Sequence, residues 1–308
     1  MSTAVMNRPR SDPWKSILVA TDGSADAHAA LRAAADLACR SGATLTLVTA
    51  YDLPASALYA FPALMGVTDR SPYETAAFTL LEAERSTAAA LGAVVDEVYA
   101  GMGAIDEVIL RVAEQIDADL IVVGNRELRG FKLLVGGSTS AGVVHGAHCP
   151  VLIVRGEERS WPPHGVVVGF DHSPASRRAA QAAMAITQLY PDTAMTLIQV
   201  LADTAVHPNA VLRTPERVDT EHASLDREAA ALGRRIGRPV GTVLAVGDPA
   251  DVLTKRSDNA TTPDLVVVGT RGLGSVRRLV LGSVSTKILH SGHSPLLVMP
   301  ENGTPESS

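Results

Sequence analysis

The chain has 308 residues, 46% of them hydrophobic but only 4% aromatic, with a formal net charge of -6 and a pI near 5.8. That length suits two domains of ordinary size, each able to bury a core packed by alanine, valine and leucine. The scarce aromatics and acidic balance argue against a base-stacking surface and against a basic patch for DNA, RNA or anionic membrane.

In chain order, Ile17–Ala20 reads as a short apolar strand and Ala25–Arg40 as an alanine-rich helix, with Ser24 at its N-cap. "TLTLVTA" predicts a second strand, Glu74–Leu91 a helix, "AVVDEVYA" a third strand and "AIDEVILRVAEQI" a third helix. "DLIVVG" and "PVLIV" complete five strands. Their near-continuous apolar runs suit a parallel sheet covered on both faces.

The series then starts again. Val166–Gly169 is a strand and Pro174–Leu189 a helix, with Ser173 at the cap and Pro174 in the first turn. "AMTLIQV", Glu216–Ile236, "VGTVLAV", "PADVLTKRSDNA", "DLVVVG" and "PLLVM" follow. Val122–Val154 resembles Val267–Met299 without gaps at an offset of 145 residues, as Gly124 to Gly269, and Ser16–Ala38 resembles Gly165–Thr187. Units this long are duplicated domains, not solenoid repeats. Their expected bounds are 13–156 and 164–300, with the polar "RGEERSWPPHG" as the seam and "ENGTPESS" as a tail without a fold.

Strands alternating with helical crossovers predict two tandem doubly wound α/β domains, each a five-stranded parallel sheet in the order 3-2-1-4-5. Such sheets bind ligands at the carboxyl ends of the strands, where the winding reverses. Strand one leads there to Asp22 or Asp171, and strand four to Gly124 or Gly269. After Gly269 come Arg271, Gly272, Arg277, Arg278, Gly282, Ser283 and Ser285. Glycines let backbone N–H groups approach an anion, and the helix beginning near Ser283 favours negative charge at its start. An aspartate across the cleft suits a ribose or a base, so the pair of features describes a nucleotide site.

The spacing Gly269-x2-Gly272-x9-Gly282-Ser283, with Asp171 after the first strand, resembles the universal stress protein family in its tandem-domain form. The likeness runs through nearly the whole chain, twice. It implies ATP held with its phosphates on the glycine-serine loop, its ribose at the early aspartate and its adenine near the end of strand two. By that analogy Gly169, Asp171, Val200, Gly269, Arg271, Gly272, Gly282, Ser283, Val284 and Ser285 form the second site. Ala20, Asp22, Ala50, Gly124, Arg126, Gly137, Ser138 and Ser140 form the first. The resemblance also implies a fifth-strand pairing of Val151–Val154 with Leu296–Met299, and a further homodimer.

The first half departs from the pattern at Glu127, which stands where Gly272 stands in the second. A carboxylate about 4 Å from a phosphate charge costs about 4 kcal/mol at an effective dielectric near 20. Pointing inward it weakens or empties the first site; turned to solvent it leaves Arg126, Arg129 and Lys132 to support binding.

Blander readings stand beside these. The glycine loop is also read as a tight turn, and Asp22 and Asp171 as turn or capping residues. "HGAHCP" and "HSGHSP" place histidines three apart without the further ligands zinc needs, so no metal site is expected. "GMGAID" is a weak fragment of a dinucleotide fingerprint, and no P-loop lysine motif occurs. Residues 52–73 and 202–215 are lids or plain loops, with Tyr51, Tyr59 and Phe61 suited to partial closure.

No residue stands out as a general base, so the expected function is ATP sensing or buffering rather than fast catalysis. Slow hydrolysis would use Mg²⁺ carried in by the nucleotide. The rival readings are adenylyl transfer on a related fold, whose usual signatures are missing from "TDGSAD" and "FDHSPAS", and a scaffold with empty pockets. Cys39 and Cys149 fit a reduced compartment. No apolar run approaches the ~20 residues of a membrane span, and "MSTAVMNRPRSDPW" has no signal-peptide core, so a cytoplasmic protein is expected.

Overall fold

The structure is a computed structural model that describes residues 14–51, 71–125, 139–155, 161–201, 215–257, 264–270 and 282–300. Arg126, Glu127, Gly137, Ser138, Arg271 and Gly272, residues 52–70 and 202–214 of the candidate lids with Tyr59 and Phe61, and the tail lie outside the described residues.

The first half runs β1 (Ser16–Ala20), α1 (Ala25–Ser41), β2 (Thr44–Tyr51), α2 (Ser71–Ala90), β3 (Val95–Met102), α3 (Ile105–Gln115), β4 (Leu120–Gly124), α4 (Thr139–Gly146) and β5 (Val151–Val154). The second half runs β6 (Gly165–Gly169), α5 (Pro174–Leu189), β7 (Ala194–Leu201), α6 (Pro215–Ile236), β8 (Gly241–Val246), α7 (Pro249–Ser257), β9 (Leu265–Gly269), α8 (Ser283–Ser291) and β10 (Leu296–Met299). The predicted caps form. Ser24 Oγ accepts the Ala27 N–H at 3.2 Å, and Ser173 Oγ accepts that of Ser176 at 3.1 Å, with Pro174 in the first turn. These bonds satisfy first-turn amides that have no partner inside the helix. β3 starts two residues later than the apolar pattern suggests. The Ala93 N–H bonds back to the Ala88 carbonyl through Gly92, at φ 88°, and Val94 is 81% exposed.

All ten strands join one sheet in the order β3-β2-β1-β4-β5-β10-β9-β6-β7-β8. Each half therefore has the predicted 3-2-1-4-5 order. Every pairing is parallel except the seam, where β5 meets β10 antiparallel with Leu152 opposite Leu297. Those two leucines are themselves 145 residues apart, so a pseudo-two-fold axis passes between them.

Side chains alternate between two cores. Ile17, Val19, Leu120, Val122, Leu152 and Val154 face one, with α1, α2, α5 and α6. Leu18, Ile121, Val123, Val151 and Ile153 face the other, with α3, α4, α7 and α8. Each core runs across the seam into the second half, so burial on both faces accounts for the unbroken apolar strands.

On the first face α1 and α5 meet across the seam. Tyr190 OH donates to Asp36 Oδ2, which also accepts from Trp161 Nε1 at 3.1 Å, while Arg40 pairs with Asp36 at 2.9 Å and lies over the Tyr190 ring. Burial, then the bond to Asp36, pushes the Tyr190 phenol far above its ordinary range. On the other face, buried Arg155 leaves β5 and donates to the carbonyls of Ile288 (3.0 Å), Leu289 and Gly292 at the end of α8. A side chain from one half thus caps a helix of the other.

Candidate functional site

The winding reverses between β1 and β4, and again between β6 and β9. Gly124 and Gly269 end the two fourth strands, and the structure shows why neither carries a side chain. A Cβ on Gly124 would lie 2.6 Å from the backbone of Asp26, and one on Gly269 would lie 2.6 Å from the Ala175 Cβ. The first turn of α1 or α5 rests directly on the strand end. These glycines therefore permit helix-on-strand contact at the edge of the crevice.

In the first half, Ala20, Asp22, Gly124 and Ser140 line one open cleft of about 600 Å³ including its mouth. Thr21, Ser24 and Ala27 complete its α1 wall, and Ile105 and Ile109 of α3 supply an apolar wall. The Ser24 N–H donates to Asp22 Oδ1 at 2.9 Å, and the Gly23 N–H to Thr21 Oγ1 at 3.2 Å. The carboxylate thereby fixes the strand-to-helix turn while sitting at the cleft. Ala50, near the end of β2 and paired with Gly101, does not line the cleft.

In the second half, Gly169 ends β6, and Asp171 Oδ1 accepts the Ser173 N–H at 3.1 Å, repeating the Asp22 turn. His172 takes the place of Gly23 with φ 62°, a backbone region that side chains other than glycine rarely occupy. Its ring packs edge-on to Phe170 at 4.9 Å, and its Nε2 is 3.2 Å from Gln199, whose amide donates to Glu221 of α6. Gln199 precedes Val200, which pairs with Ala245.

The Gly282 N–H donates to the Thr270 carbonyl at 2.6 Å, which holds the start of α8 beside the end of β9. Gly282 stands at the N-cap of α8 and, as a glycine, offers no side-chain bond to the first-turn amides. Ser283 there is exposed, Val284 packs on the core, and the buried Ser285 hydroxyl donates to the Gly282 carbonyl at 3.0 Å. Ser285 thus holds the turn from inside.

Beyond the site, Lys287 of α8 bridges Asp251 (2.8 Å) and Asp248 (3.2 Å), and these carboxylates raise its pKa, Asp251 foremost. His145 Nδ1 is 2.7 Å from the Ala141 carbonyl within α4, and among the described residues no three potential ligands gather for a metal ion. No described helix is long and apolar enough to cross a membrane.

Sequence reasoning missed Thr21, Ile105 and Ile109. The isoleucines read as ordinary core positions of an amphipathic helix, and only the placement of α3 brings them to the cleft.

The family model described as "Universal stress protein family" matches residues 13–155 and 164–300. A universal stress protein of Mycolicibacterium smegmatis is 27% identical over 92% of this chain and 96% of its own. One from Mycobacterium tuberculosis is 28% identical over 59% of this chain, a match that spans 62% of that relative's length. The crystal structure of a universal stress protein from Archaeoglobus fulgidus covers 96% of this chain and 100% of its own, at 23% identity and a TM-score of 0.66, a likeness of fold. With the domain matched twice and the predicted winding present in each half, the chain belongs to the universal stress protein family, as a tandem pair of its domains.

Proposed function

We propose that this chain is a stress-response protein that binds adenine nucleotide, ATP foremost, and acts by sensing or buffering it. The supporting observation is a convergence made twice. A carboxylate-bearing turn leaves the first strand, and a loop leading into a helix start leaves the adjacent fourth strand at the same end of the sheet. In this reading Asp171 takes the ribose and the amides at the start of α8 take phosphate. The adenine lies toward the ends of β6 and β7, near Gly169 and Val200. Gly269, Arg271, Gly272 and Gly282 to Ser285 form the loop side.

The first site repeats this with Ala20, Asp22, Gly124 and Ser140, and with Ala50, Arg126, Gly137 and Ser138. Glu127 makes it the weaker of the two. In this reading Mg²⁺ is carried in by the nucleotide. The domain limits 13–156 and 164–300 and a homodimer belong to the same proposal.

Calorimetric titration with ATP, together with mass spectrometry of nucleotide released from the denatured purified protein, tests the reading. Saturable binding with a stoichiometry of one or two per chain is expected. An absence of ATP, ADP, AMP and cyclic AMP binding in folded protein would overturn it in favour of a scaffold. ATP-dependent release of pyrophosphate with an acceptor would replace it with an adenylyl transferase.

A further inference from the structure

Residue by residue, the first crevice has gained carboxylates that the second lacks. Asp26 lines it together with Asp22, and the residue at the matching place in α5 is Ala175. The Gly103 and Gly247 N–H groups donate alike to Tyr51 and Leu201, which puts Asp106 of α3 in register with Ala250 of α7. Ala250 is buried, whereas Asp106 carries its carboxylate against the first turn of α4, where a Cβ on Gly142 would collide with Oδ2. Gly142 is the counterpart of Lys287, so a glycine here makes room for the acid. The lysine's partner Asp248 becomes Ala104 in the same exchange, which by itself moves no charge. In sequence, Glu127 adds a further acid where the second half has Gly272.

These acids change what the crevice can hold. The start of a helix favours an anion, and that is the place a phosphate needs. In the first half a carboxylate of the chain itself already stands against that turn. The lining carboxylates, Asp22 and Asp26, accept hydrogen bonds and donate none. Ile105 and Ile109 form an apolar wall, and no cation lines the crevice among the described residues. A ligand that fits has a flat apolar face and hydroxyl or amino donors, and bears no anionic group.

We propose that the first crevice takes an unphosphorylated nucleoside, adenosine in class, while the second takes the nucleotide. The proposal rests on the reading of both crevices as adenine-nucleotide sites and divides them by charge. Ribose hydroxyls donate to Asp22 and Asp26, the base lies against Ile105 and Ile109, and a 5′-phosphate is repelled by Asp106. One chain then responds to nucleotide and nucleoside together.

Calorimetric titration of the full chain at about 0.15 M salt tests this. Adenosine should bind at one site per chain, with the same affinity whether or not ATP is present at saturation. ATP should bind the first crevice at least about tenfold more weakly than adenosine does. Asp22→Ala should remove the adenosine site and Asp171→Ala should leave it. The double variant Asp26→Ala/Asp106→Ala, which installs the second half's own residues, should raise the ATP stoichiometry from one to two. Far-UV circular dichroism verifies that each variant is folded. Adenosine that ATP displaces, or a wild-type chain that binds two ATP with equal affinity, would overturn the proposal. So would a folded chain that binds ATP and no adenosine. Each of these results leaves the nucleotide reading standing; that reading falls only where nucleotide itself fails to bind.

Discussion

Replacing Arg155 with methionine should cost about 3 kcal/mol of stability and loosen α8 in particular. Arg155 is 3% exposed, and its guanidinium donates to the carbonyls of Ile288, Leu289 and Gly292. A hydrogen bond from a charged group contributes about 1.5–3 kcal/mol, and a cation at a helix C-terminus contributes up to ~2 kcal/mol in partly buried settings. Against these stands a desolvation cost of several kcal/mol for the buried charge. Methionine keeps the apolar stem but takes the donor from the Leu289 and Gly292 carbonyls, each worth about 1–3 kcal/mol when buried without a partner, while the Ile288 carbonyl keeps the Gly292 N–H at 2.9 Å. Lysine should rescue little, since one ammonium cannot reproduce a planar fan of donors. Gly292 supports the reading, because a Cβ there would come within 2.8 Å of the guanidinium. Urea denaturation gives the stability change, and hydrogen exchange at Ile288–Ser291 shows where it acts. A change below about 0.5 kcal/mol, or protection lost evenly over the chain, would refute the assignment of Arg155 as the cap that binds the halves together.

Gly124→Ala and Gly269→Ala should each destabilise by about 1–3 kcal/mol, because the new methyl meets atoms of α1 or α5 at 2.6 Å; denaturant midpoints measure it. Asp171→Ala should weaken ATP binding roughly tenfold with the circular dichroism unchanged, and an unaltered calorimetric affinity would count against the proposed ribose contact. Burial pushes the Cys149 thiol up to about 12, while Cys39 is exposed. A thiol-reactive dye at pH 8 should label one cysteine in the native chain and two in the denatured chain. The same shift carries a stability sign. The unfolded thiol ionises near its ordinary value of 9.0 while the folded one keeps its proton, so this contribution is lost as pH rises from about 9 towards 12.

The winding was legible because the strands are apolar on both faces and the helices carry explicit start signals at Ser24, Ser173 and Pro174. The seam pairing came only from the family resemblance, since "VLIV" and "LLVM" look alike whether they pair or lie apart. What holds the seam could not be read at all. Arg155 stands in a segment whose composition reads as a polar linker, and Asp36, Arg40 and Tyr190 are spaced as ordinary surface residues until the pseudo-two-fold brings α1 against α5. At the crevice, the sequence pattern assigns Gly124 and Gly269 to the ligand for their small size. Their contacts with Asp26 and Ala175 show that the small size also serves the helix. Ser285 likewise carries the hydroxyl the motif requires, yet its bond to Gly282 is a property of the folded turn.

Duplication lets the halves diverge wherever one copy supplies what the pair needs. Arg155 reaches across to cap α8, but the residue 145 places on is Pro300, whose nitrogen has no proton to give; Arg178 donates to its carbonyl instead. Gly23 becomes His172 with the same left-handed backbone, exchanging freedom for a bond to Gln199 and, through it, to α6. Gly272 becomes Glu127 at the loop. A symmetric dimer of single domains would have to place each of these residues twice. In one covalent sheet the second half can keep Gly272 in its sequence and gain a rigid tie from His172 to its outer helix, while the first is free to carry Glu127 at the matching position. The two continuous cores and the cross-seam cap keep the halves in register while their sites separate in character.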